Sequence, residues 1–395
     1  MISDRMKPLV AGNSVIRAMF EEGKKMAEER GAENVFDFSI GNPNVPAPEA
    51  INRAMKEILD GEEPVKVHGY MSNAGFPETR KAVADNLNER FGTSFTEKNV
   101  IMTVGAGSAL NILLKTLLDP GSEVIVFAPY FVEYDAYIGN YGGVRVMVQT
   151  SEENGFLPDG KALAAAVTGK TRAVIINNPN NPTGVIYPEE TVMEIASVLR
   201  EKEAEFGHPI YLVSDEPYRE LAYGGRQVPF LTKYYENTVI GYSYSKSLSL
   251  PGERIGYVLI PDESDGADEF IDAATIANRV SGCVNAPSLI QLAIGRCADL
   301  TCDISYYETN GRLLYDGLTA LGFSCVKPQG AFYLWVKAPG GDDKTFSQAA
   351  KKYGILMVPG TSFAGPGYVR ISYCVAKETI ERALPAFKKL ASEVM

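Results

Sequence analysis

A lysine flanked by hydroxyl groups is the residue of this sequence with the clearest potential for chemistry. Lys246 lies in residues 243–254 (SYSKSLSLPGER), after Ser243 and Ser245 and before a Gly-containing turn that ends at Arg254. Serine hydroxyls and an arginine fork are donors that bind a phosphate. A lysine that loses its hydration in such a pocket has a depressed pKa and can act as a nucleophilic amine. A lone lysine is otherwise most often a solvated surface charge, so the flanking donors carry the argument.

Two further polar segments follow apolar runs. Residues 214–218 (SDEPY) contain Asp215, whose carboxylate could pair with a cation, and Tyr218, which could face the same space from a first helical turn. Residues 178–184 (NPNNPTG) contain Asn181, whose side-chain amide could donate to an oxygen of a bound ring. The structural alternatives are that Asp215 caps the following helix and that residues 178–184 form an ordinary turn.

Two weaker motifs suit anions. Residues 105–108 (GAGS) separate a strand-like from a helix-like segment, where backbone N–H groups and the helix dipole favour negative charge. They lack the third glycine of the dinucleotide fingerprint, and a tight turn explains them equally well. Residues 365–372 (GPGYVRIS) contain Arg370, whose fork would suit a substrate carboxylate if it faces a pocket and not a surface acid.

The scaffold that would bring these segments together is predicted from hydrophobic periodicity. Short runs rich in Val and Ile alternate with helix-like segments, which is typical of βαβ units and a mostly parallel sheet. Ligands of such sheets bind at the carboxyl ends of the strands, where the polar segments lie. The predicted strands are 99–104, 123–127, 172–177, 209–214 and 238–243, and the predicted helices are 14–30, with Ser14 as cap, and 106–118.

The last hundred residues predict a second, smaller unit. Helices and further strands at 331–336, 355–358 and 368–373 indicate an α+β domain. A long helix across 288–320 is expected to join it to the large domain.

Composition narrows the class of protein. The 395 residues are 45% hydrophobic, enough for two domains, and the net charge of −11 disfavours nucleic acid and anionic membranes as partners. No run approaches the roughly 20 apolar residues of a membrane span, and we expect no signal peptide.

The five cysteines form no C-x-x-C pair, so neither a disulfide framework nor a zinc site is predicted. With only His68 and His208, a His-rich metal site is excluded, and proton transfer falls to lysine, tyrosine or a cofactor.

In combination and in this order, the five motifs resemble those of the class I and II aminotransferases, which are fold type I enzymes that use pyridoxal 5′-phosphate (PLP). The similarity extends from about Gly41 to Arg370. It implies a seven-stranded-type, mostly parallel sheet flanked by helices, in a large PLP-binding domain at 48–290. Residues 1–47 and 291–395 would form the smaller domain, and the segment before Gly41 would be a mobile lid. A homodimer acting in amino-acid metabolism is implied as well, and the cysteine pattern fits a reducing cytoplasm.

The resemblance also implies how the cofactor would be held. Lys246 would form a Schiff base with it and carry the proton. Asp215 would pair with the pyridine nitrogen, while Tyr218 and Asn181 would donate to the 3′ oxygen of the ring. The other cofactor-binding residues implied are Ala106, Gly107, Phe131, Ser243, Ser245, Arg254 and, from the neighbouring subunit, Tyr70.

For the substrate, the resemblance implies that Arg370 holds the α-carboxylate, with Gly41 and Asn181 beside it. Some family members have a histidine behind the pyridine-binding acid, and Tyr134 takes that place here. No arginine for a second, distal carboxylate is identified. Aspartate, aromatic and other neutral amino acids therefore stay open as donors, with 2-oxoglutarate the expected acceptor in a ping-pong cycle.

Three alternatives remain. A PLP-dependent C–S lyase, or another elimination or ring-closing enzyme, would use the same cofactor site. An acyl-serine hydrolase is suggested formally by S-x-x-K at 243–246, but its S-D-N and K-T-G partner motifs are absent from the sequence. A non-catalytic regulator would need a DNA-binding module, and no basic segment for one is visible.

Overall fold

The structure is a computed structural model that describes residues 2–4, 6–11 and 15–395. In this part of the chain the strands are β1 (Phe36–Asp37), β2 (Val100–Thr103), β3 (Glu123–Ala128), β4 (Val144–Gln149), β5 (Thr171–Asn177), β6 (Tyr211–Asp215), β7 (Thr238–Ser243), β8 (Gly256–Leu259), β9 (Cys325–Val326), β10 (Tyr333–Lys337), β11 (Ile355–Leu356), β12 (Val358–Pro359) and β13 (Tyr368–Ser372). The α-helices are α1 (Met6–Ala11), α2 (Val15–Arg30), α3 (Glu49–Gly61), α4 (Pro64–His68), α5 (Pro77–Phe91), α6 (Gly105–Leu117), α7 (Tyr134–Asn140), α8 (Gly160–Ala166), α9 (Glu189–Phe206), α10 (Tyr244–Ser247), α11 (Ala267–Asn278), α12 (Ser288–Gly295), α13 (Ile304–Ala320), α14 (Asp343–Lys352) and α15 (Lys377–Val394).

The large sheet has seven strands in the order β2-β8-β7-β6-β5-β3-β4. All neighbours pair in parallel except β8, which runs antiparallel to both β2 and β7. Apolar side chains of α6 pack on one face of the sheet and those of α9 on the opposite face, since alternate residues of β3, β5 and β6 belong to the two clusters. The predicted α/β fold with a mostly parallel sheet flanked by helices is confirmed.

The central strands could be read from the sequence because both of their faces are covered. Every residue of β6 and β7 is buried, and so is every residue of β3 after Glu123. A strand buried on both faces shows a continuous apolar run, which is the pattern that predicted them. The predicted and observed boundaries differ by no more than two residues.

A second core joins the two ends of the chain. The antiparallel sheet β12-β13-β10-β9 lies beside a two-stranded parallel pair, in which β1 pairs with β11. Phe38 packs against Phe387 of α15 with ring centroids 6.1 Å apart. These contacts are those of the smaller α+β domain, although the domain boundaries 48–290, 1–47 and 291–395 stay predictions.

The long helix predicted across 288–320 is wrong, because α12 and α13 are separate helices. The carboxylate of Asp303 accepts the backbone N–H of Ser305 at 3.0 Å and caps the start of α13. The N–H of Cys302 donates to the carbonyl of Ser247 at 2.7 Å and so leaves the helical pattern. The predicted helix at 14–30 corresponds to α2, but its proposed cap, Ser14, lies outside the described residues.

Candidate active site

A cavity of about 330 Å³ lies where the predicted site residues converge. It opens at the carboxyl ends of β5, β6 and β7 and at the first turn of α6. All of the predicted site residues line it except Tyr70. Six lining residues were not predicted: Leu110, Tyr137, Asn177, Pro217, Pro251 and Tyr333.

Lys246 reaches the cavity from the short helix α10, directly after β7. The side chain of Ser243 accepts the N–H of Ser245 at 3.2 Å and fixes the start of this turn. The Nζ of Lys246 donates to the carbonyl of Gly41 at 2.7 Å. Burial lowers the pKa of the Lys246 amine to about 8, and the charge of Arg254 acts in the same direction. About a tenth of this amine is therefore neutral, and nucleophilic, at pH 7, far more than for an ordinary lysine.

Asp215, the last residue of β6, presents one satisfied and one unsatisfied oxygen. Its Oδ2 accepts from the hydroxyl of Tyr134 at 2.5 Å and lies 3.4 Å from the amide of Asn177. Its Oδ1 is buried and has no hydrogen-bond partner among the described residues. Burial raises the pKa of Asp215 to about 7, against the lowering effect of the Tyr134 hydrogen bond. Such a carboxylate lacks a cation that would stabilise its ionised form.

Arg370 of β13 is held rigidly inside the cavity wall. Its Nη1 donates to Asn181 Oδ1 at 3.1 Å and its Nη2 to the carbonyl of Ser39 at 2.7 Å. The guanidinium lies 4.4 Å from the ring centroid of Tyr333 and 4.7 Å from that of Phe363. Its Nε is buried without a partner in the described part of the chain. Arg370 therefore has an unused donor and suits an anion in the cavity.

The hydroxyl groups of Tyr218 and Tyr333 lie close together, and only Tyr218 was predicted from the sequence. The two oxygens lie 2.8 Å apart. A Cβ at Gly41 would come within 2.2 Å of the Tyr333 hydroxyl, so this position requires glycine. Tyr333 was missed because an aromatic residue in a strand has the ordinary appearance of core.

A further part of the cavity wall consists of hydroxyl groups, backbone N–H groups and an arginine. Ala106 and Gly107 lie in the first turn of α6, where unpaired N–H groups point out of the helix. The hydroxyls of Ser243 and Ser245 are 2.7 Å apart. Arg254 is placed beside them by a left-handed backbone conformation, φ 53°, and its Nη1 donates to the carbonyl of Pro251 at 2.9 Å. This set of donors suits a phosphate group.

The aromatic residues around the cavity divide into two groups. Phe131 lines it and meets the ring of Tyr134 edge to face, with centroids 5.7 Å apart. Tyr137 lies one turn beyond Tyr134 on α7, a spacing that could have predicted it. Tyr70 is 92% exposed and is not brought to the cavity of its own chain. The expectation that it serves a neighbouring subunit stays a prediction.

Comparison with known proteins shows which family the chain belongs to. The family model described as aminotransferase class I and II matches residues 33–387. The chain belongs to this family. These aminotransferases use PLP as their cofactor.

The similarity to known aminotransferases extends over nearly the whole chain of this one. It is 33% identical to the aspartate/prephenate aminotransferase of Thermus thermophilus, over 93% of this chain and 94% of that one. It is 32% identical to aromatic-amino-acid aminotransferase 2 of Thermococcus litoralis, over 99% and 98% of the two chains. The crystal structure of an aminotransferase from Eubacterium rectale superposes with a TM-score of 0.96 at 46% identity, covering 100% and 99%.

The residues of the cavity fit the family's cofactor. The buried Oδ1 of Asp215 has no partner and suits a protonated ring nitrogen. The amine of Lys246 has the lowered pKa that reaction with an aldehyde requires. The donors of α6, Ser243 and Arg254 suit a phosphate. In the described residues, no group of three or more His, Cys, Asp or Glu side chains could hold a metal ion, and no helix is long and apolar enough to cross a membrane.

Proposed function

We propose that this aminotransferase moves the amino group of an L-amino acid to a 2-oxo acid, with 2-oxoglutarate as acceptor, in the two half-reactions of a ping-pong cycle. The observation that carries the proposal is a single cavity that combines a buried amine, Lys246, an unsatisfied carboxylate, Asp215, and a guanidinium with a free donor, Arg370. No other cationic side chain but Arg254 lines this cavity among the described residues.

The cofactor would be held at each of its polar groups by a different element. Lys246 would bind its aldehyde carbon, and Asp215 its ring nitrogen. Tyr218 and Asn181 would donate to its 3′ oxygen. The phosphate ligands would be Ala106, Gly107, Ser243, Ser245 and Arg254, with Phe131 against the ring. When bound, PLP supplies an electron sink that accepts the charge left behind as the substrate loses its Cα proton.

Lys246 would act as the general base and acid of the reaction. Burial and the charge of Arg254 lower the pKa of this amine to about 8, so the free amine would be mostly neutral above that pH and would take the Cα proton of the substrate. Its Nζ lies 2.7 Å from the carbonyl of Gly41 in the cavity wall, and from there it would serve both carbon atoms that exchange the proton. Holding base and substrate together can contribute about 7–11 kcal/mol in the best-oriented cases.

Arg370 would fix the substrate by its α-carboxylate. The guanidinium is immobilised between two aromatic rings and by Asn181 and Ser39, so it loses little side-chain entropy when it binds an anion. A carboxylate held at this fixed place would set the orientation of the Cα atom in the cavity, and so would favour breaking of the Cα–H bond over loss of the carboxylate.

The wall of the cavity supports an aromatic or other neutral donor. The three cations that line it, Lys246, Arg254 and Arg370, are each committed to another group in this proposal. Phe131, Tyr137 and Tyr333 supply aromatic surface. Aspartate is the second candidate, favoured by the similarity to the aspartate/prephenate enzyme of Thermus thermophilus.

A homodimer in the cytoplasm is part of the proposal. Tyr70 is 92% exposed and the nearby Val65 is 76% exposed, which is unusual for large apolar side chains and supports a covering subunit. All five cysteines are free thiols, which supports a reducing compartment.

Product analysis tests the proposal and separates it from elimination. The PLP-loaded protein is incubated with 2-oxoglutarate and one amino acid at a time, comparing phenylalanine, tyrosine, leucine and alanine with aspartate. Mass spectrometry should find glutamate and the oxo acid of the donor in equal amounts, with aromatic donors ahead of aspartate. A cysteine S-conjugate is tested in the same way: release of pyruvate, ammonia and the free thiol, without glutamate from any donor, would contradict the proposal and establish an elimination enzyme.

A further inference from the structure

A buried ionic cluster lies behind the turn that carries Asp215 and Tyr218. The turn continues through Glu216, Arg219 and Glu220, and none of these three lines the cavity. Glu216 is 2% exposed and Arg219 6% exposed, and the side chain of Glu220 is 6% exposed. The reaction proposed above gives these three charged residues no role, although burying them is costly.

Arg219 is the centre of the cluster. Its Nη1 donates to Glu216 at 2.8 Å, its Nε to Glu220 at 3.1 Å and its Nη2 to the hydroxyl of Tyr257 at 3.0 Å. The face of the guanidinium lies 4.3 Å from the ring centroid of Tyr242. All three nitrogens are thus engaged, in the fixed fork that distinguishes arginine from lysine.

The two carboxylates attach this centre to other parts of the fold. Glu216 accepts the hydroxyl of Ser214 at 2.7 Å, and its backbone N–H donates to the carbonyl of Gly241 in β7 at 2.9 Å. Glu220 accepts Nη1 of Arg90 at 3.0 Å. The cluster therefore ties β6, β7 and α5 together.

One contact leads from the cluster to the catalytic lysine segment. The hydroxyl of Tyr242 lies 3.2 Å from Glu220 and 2.8 Å from the hydroxyl of Ser247. Ser247 follows Lys246 directly in α10. The turn that carries Asp215 and the turn that carries Lys246 are thus joined on the side away from the cavity.

The charges of the cluster balance, and Arg219 is essential to that balance. Arg219 and Arg90 face the two carboxylates, but only Arg219 contacts Glu216. Removing it would leave a buried carboxylate one residue from Asp215. Glu216 already acts to raise the pKa of Asp215, so its compensation by Arg219 bears directly on the cofactor-binding acid.

We propose that Arg219 is a positioning residue of this aminotransferase: with Glu216, Glu220 and Tyr242 it holds the turn of Asp215 and the turn of Lys246 at a fixed separation. It also shields Asp215 from the neighbouring carboxylate. A buried charge cluster of this kind contributes little net stability but fixes one geometry of the groups attached to it. The inference rests on the proposed roles of Asp215 and Lys246.

The test compares four variants with the wild-type protein: Arg219→Met, Glu216→Gln/Arg219→Met, Tyr242→Phe and the control Arg200→Met. Arg200 pairs with Glu236 on the surface and is 47% exposed, so its loss should leave the site unchanged. Three quantities are measured: the dissociation constant of PLP from the cofactor-free protein, the pH midpoint of the visible absorption change of the loaded protein, and the thermal unfolding midpoint without cofactor.

Arg219→Met should weaken PLP binding by about tenfold or more. It should also move the pH midpoint upward, because the unpaired negative charge of Glu216 favours the protonated forms of neighbouring groups. The double variant should bring the midpoint back toward wild type. Tyr242→Phe, which keeps the charges and removes one link, should weaken PLP binding about 5- to 10-fold. A merely structural role would lower the unfolding midpoint of Arg219→Met without moving the pH midpoint.

A folded Arg219→Met protein whose PLP affinity and pH midpoint match those of Arg200→Met would overturn the inference. If Arg219→Met does not fold, Tyr242→Phe decides in the same way: wild-type affinity in that variant overturns the inference, and weakened affinity supports it. Failure of the wild-type protein itself to bind PLP would instead contradict the proposed function, so the two failures are distinguishable.

Discussion

Replacing Asp215 by asparagine should stabilise the cofactor-free protein while impairing the enzyme. The carboxylate is buried and its pKa is raised from 3.8 to about 7, mainly by desolvation. Its ionised form is therefore disfavoured by the folded cofactor-free protein. Asparagine keeps an oxygen for the Tyr134 hydroxyl and places its amide where the unpartnered Oδ1 now lies.

The size and pH range of the effect follow from the two pKa values. A carboxyl whose pKa is raised by folding costs stability above its folded pKa, and the cost disappears as pH falls toward the unfolded pKa. Moving from 3.8 to about 7 corresponds to roughly 4 kcal/mol in the free energy of unfolding. We expect Asp215→Asn to gain up to about 4 kcal/mol at pH 8, falling to roughly 2 kcal/mol at pH 5.

The loaded enzyme should respond in the opposite direction. In the proposed site the ring nitrogen of PLP would lose its anionic partner. An opposite charge close to a titrating group shifts its pKa by about 1–3 units, so turnover should fall about 10- to 1000-fold. Urea denaturation of the cofactor-free proteins at pH 5 to 8, together with steady-state kinetics of the loaded proteins, measures both effects. Asp85→Asn is the control, since the side chain of Asp85 is 59% exposed and, among the described residues, forms an ion pair with Lys81 alone. A cofactor-free Asp215→Asn protein that is less stable than wild type at pH 8 would refute the reasoning.

Three other single substitutions, one of them combined with a second change, and one pH profile also test the site. Lys246→Ala should abolish turnover and leave a folded protein by circular dichroism; near-normal turnover would remove Lys246 from its role. In stopped-flow absorbance, the rate at which PLP recombines with cofactor-free wild-type protein should rise with pH, with its midpoint near pH 8, and level off at higher pH as the Lys246 amine becomes fully neutral; a flat profile would contradict the lowered pKa. Arg370→Lys should raise the KM of the amino acid about 10- to 100-fold, because the planar fork is lost; an unchanged KM would argue against carboxylate binding there. Gly41→Ala should impair the enzyme because its Cβ meets the Tyr333 hydroxyl, and Tyr333→Phe in the same chain should restore part of the activity; no restoration would show that the collision lies elsewhere.

The sequence predicted those parts of the fold that are covered on both faces. Strands β3, β5, β6 and β7 are visible in the sequence as nearly continuous apolar runs, because a strand that is buried on both faces has no alternating polar residues. Strand β4 (VRVMVQ) was missed, since most of its residues are exposed and it carries a charge. Strand β8 was also missed, although all of its residues are buried; it begins with a glycine and pairs antiparallel with both of its neighbours.

The candidate site was predictable where its residues end strands. Asp215 and Lys246 each lie within three residues of the end of an apolar run, and parallel strands place these ends at one edge of the sheet. Asn177 ends a predicted strand and could have been included on the same ground. Tyr333 could not, because its approach to Tyr218 depends on how the smaller sheet packs against the large one. The ionic partners of Arg219 have the appearance of a solvated charge run in sequence, and only their burial distinguishes them.

Chemical trapping of the cofactor tests the central claim most directly. The PLP-loaded protein is reduced with borohydride, digested, and examined by mass spectrometry for peptides that carry the cofactor. We predict that the label lies on Lys246 and is absent when Lys246→Ala is treated in the same way. A label on another lysine, or an equal yield of label from the Lys246→Ala protein, would contradict the assignment of this residue and the site built around it.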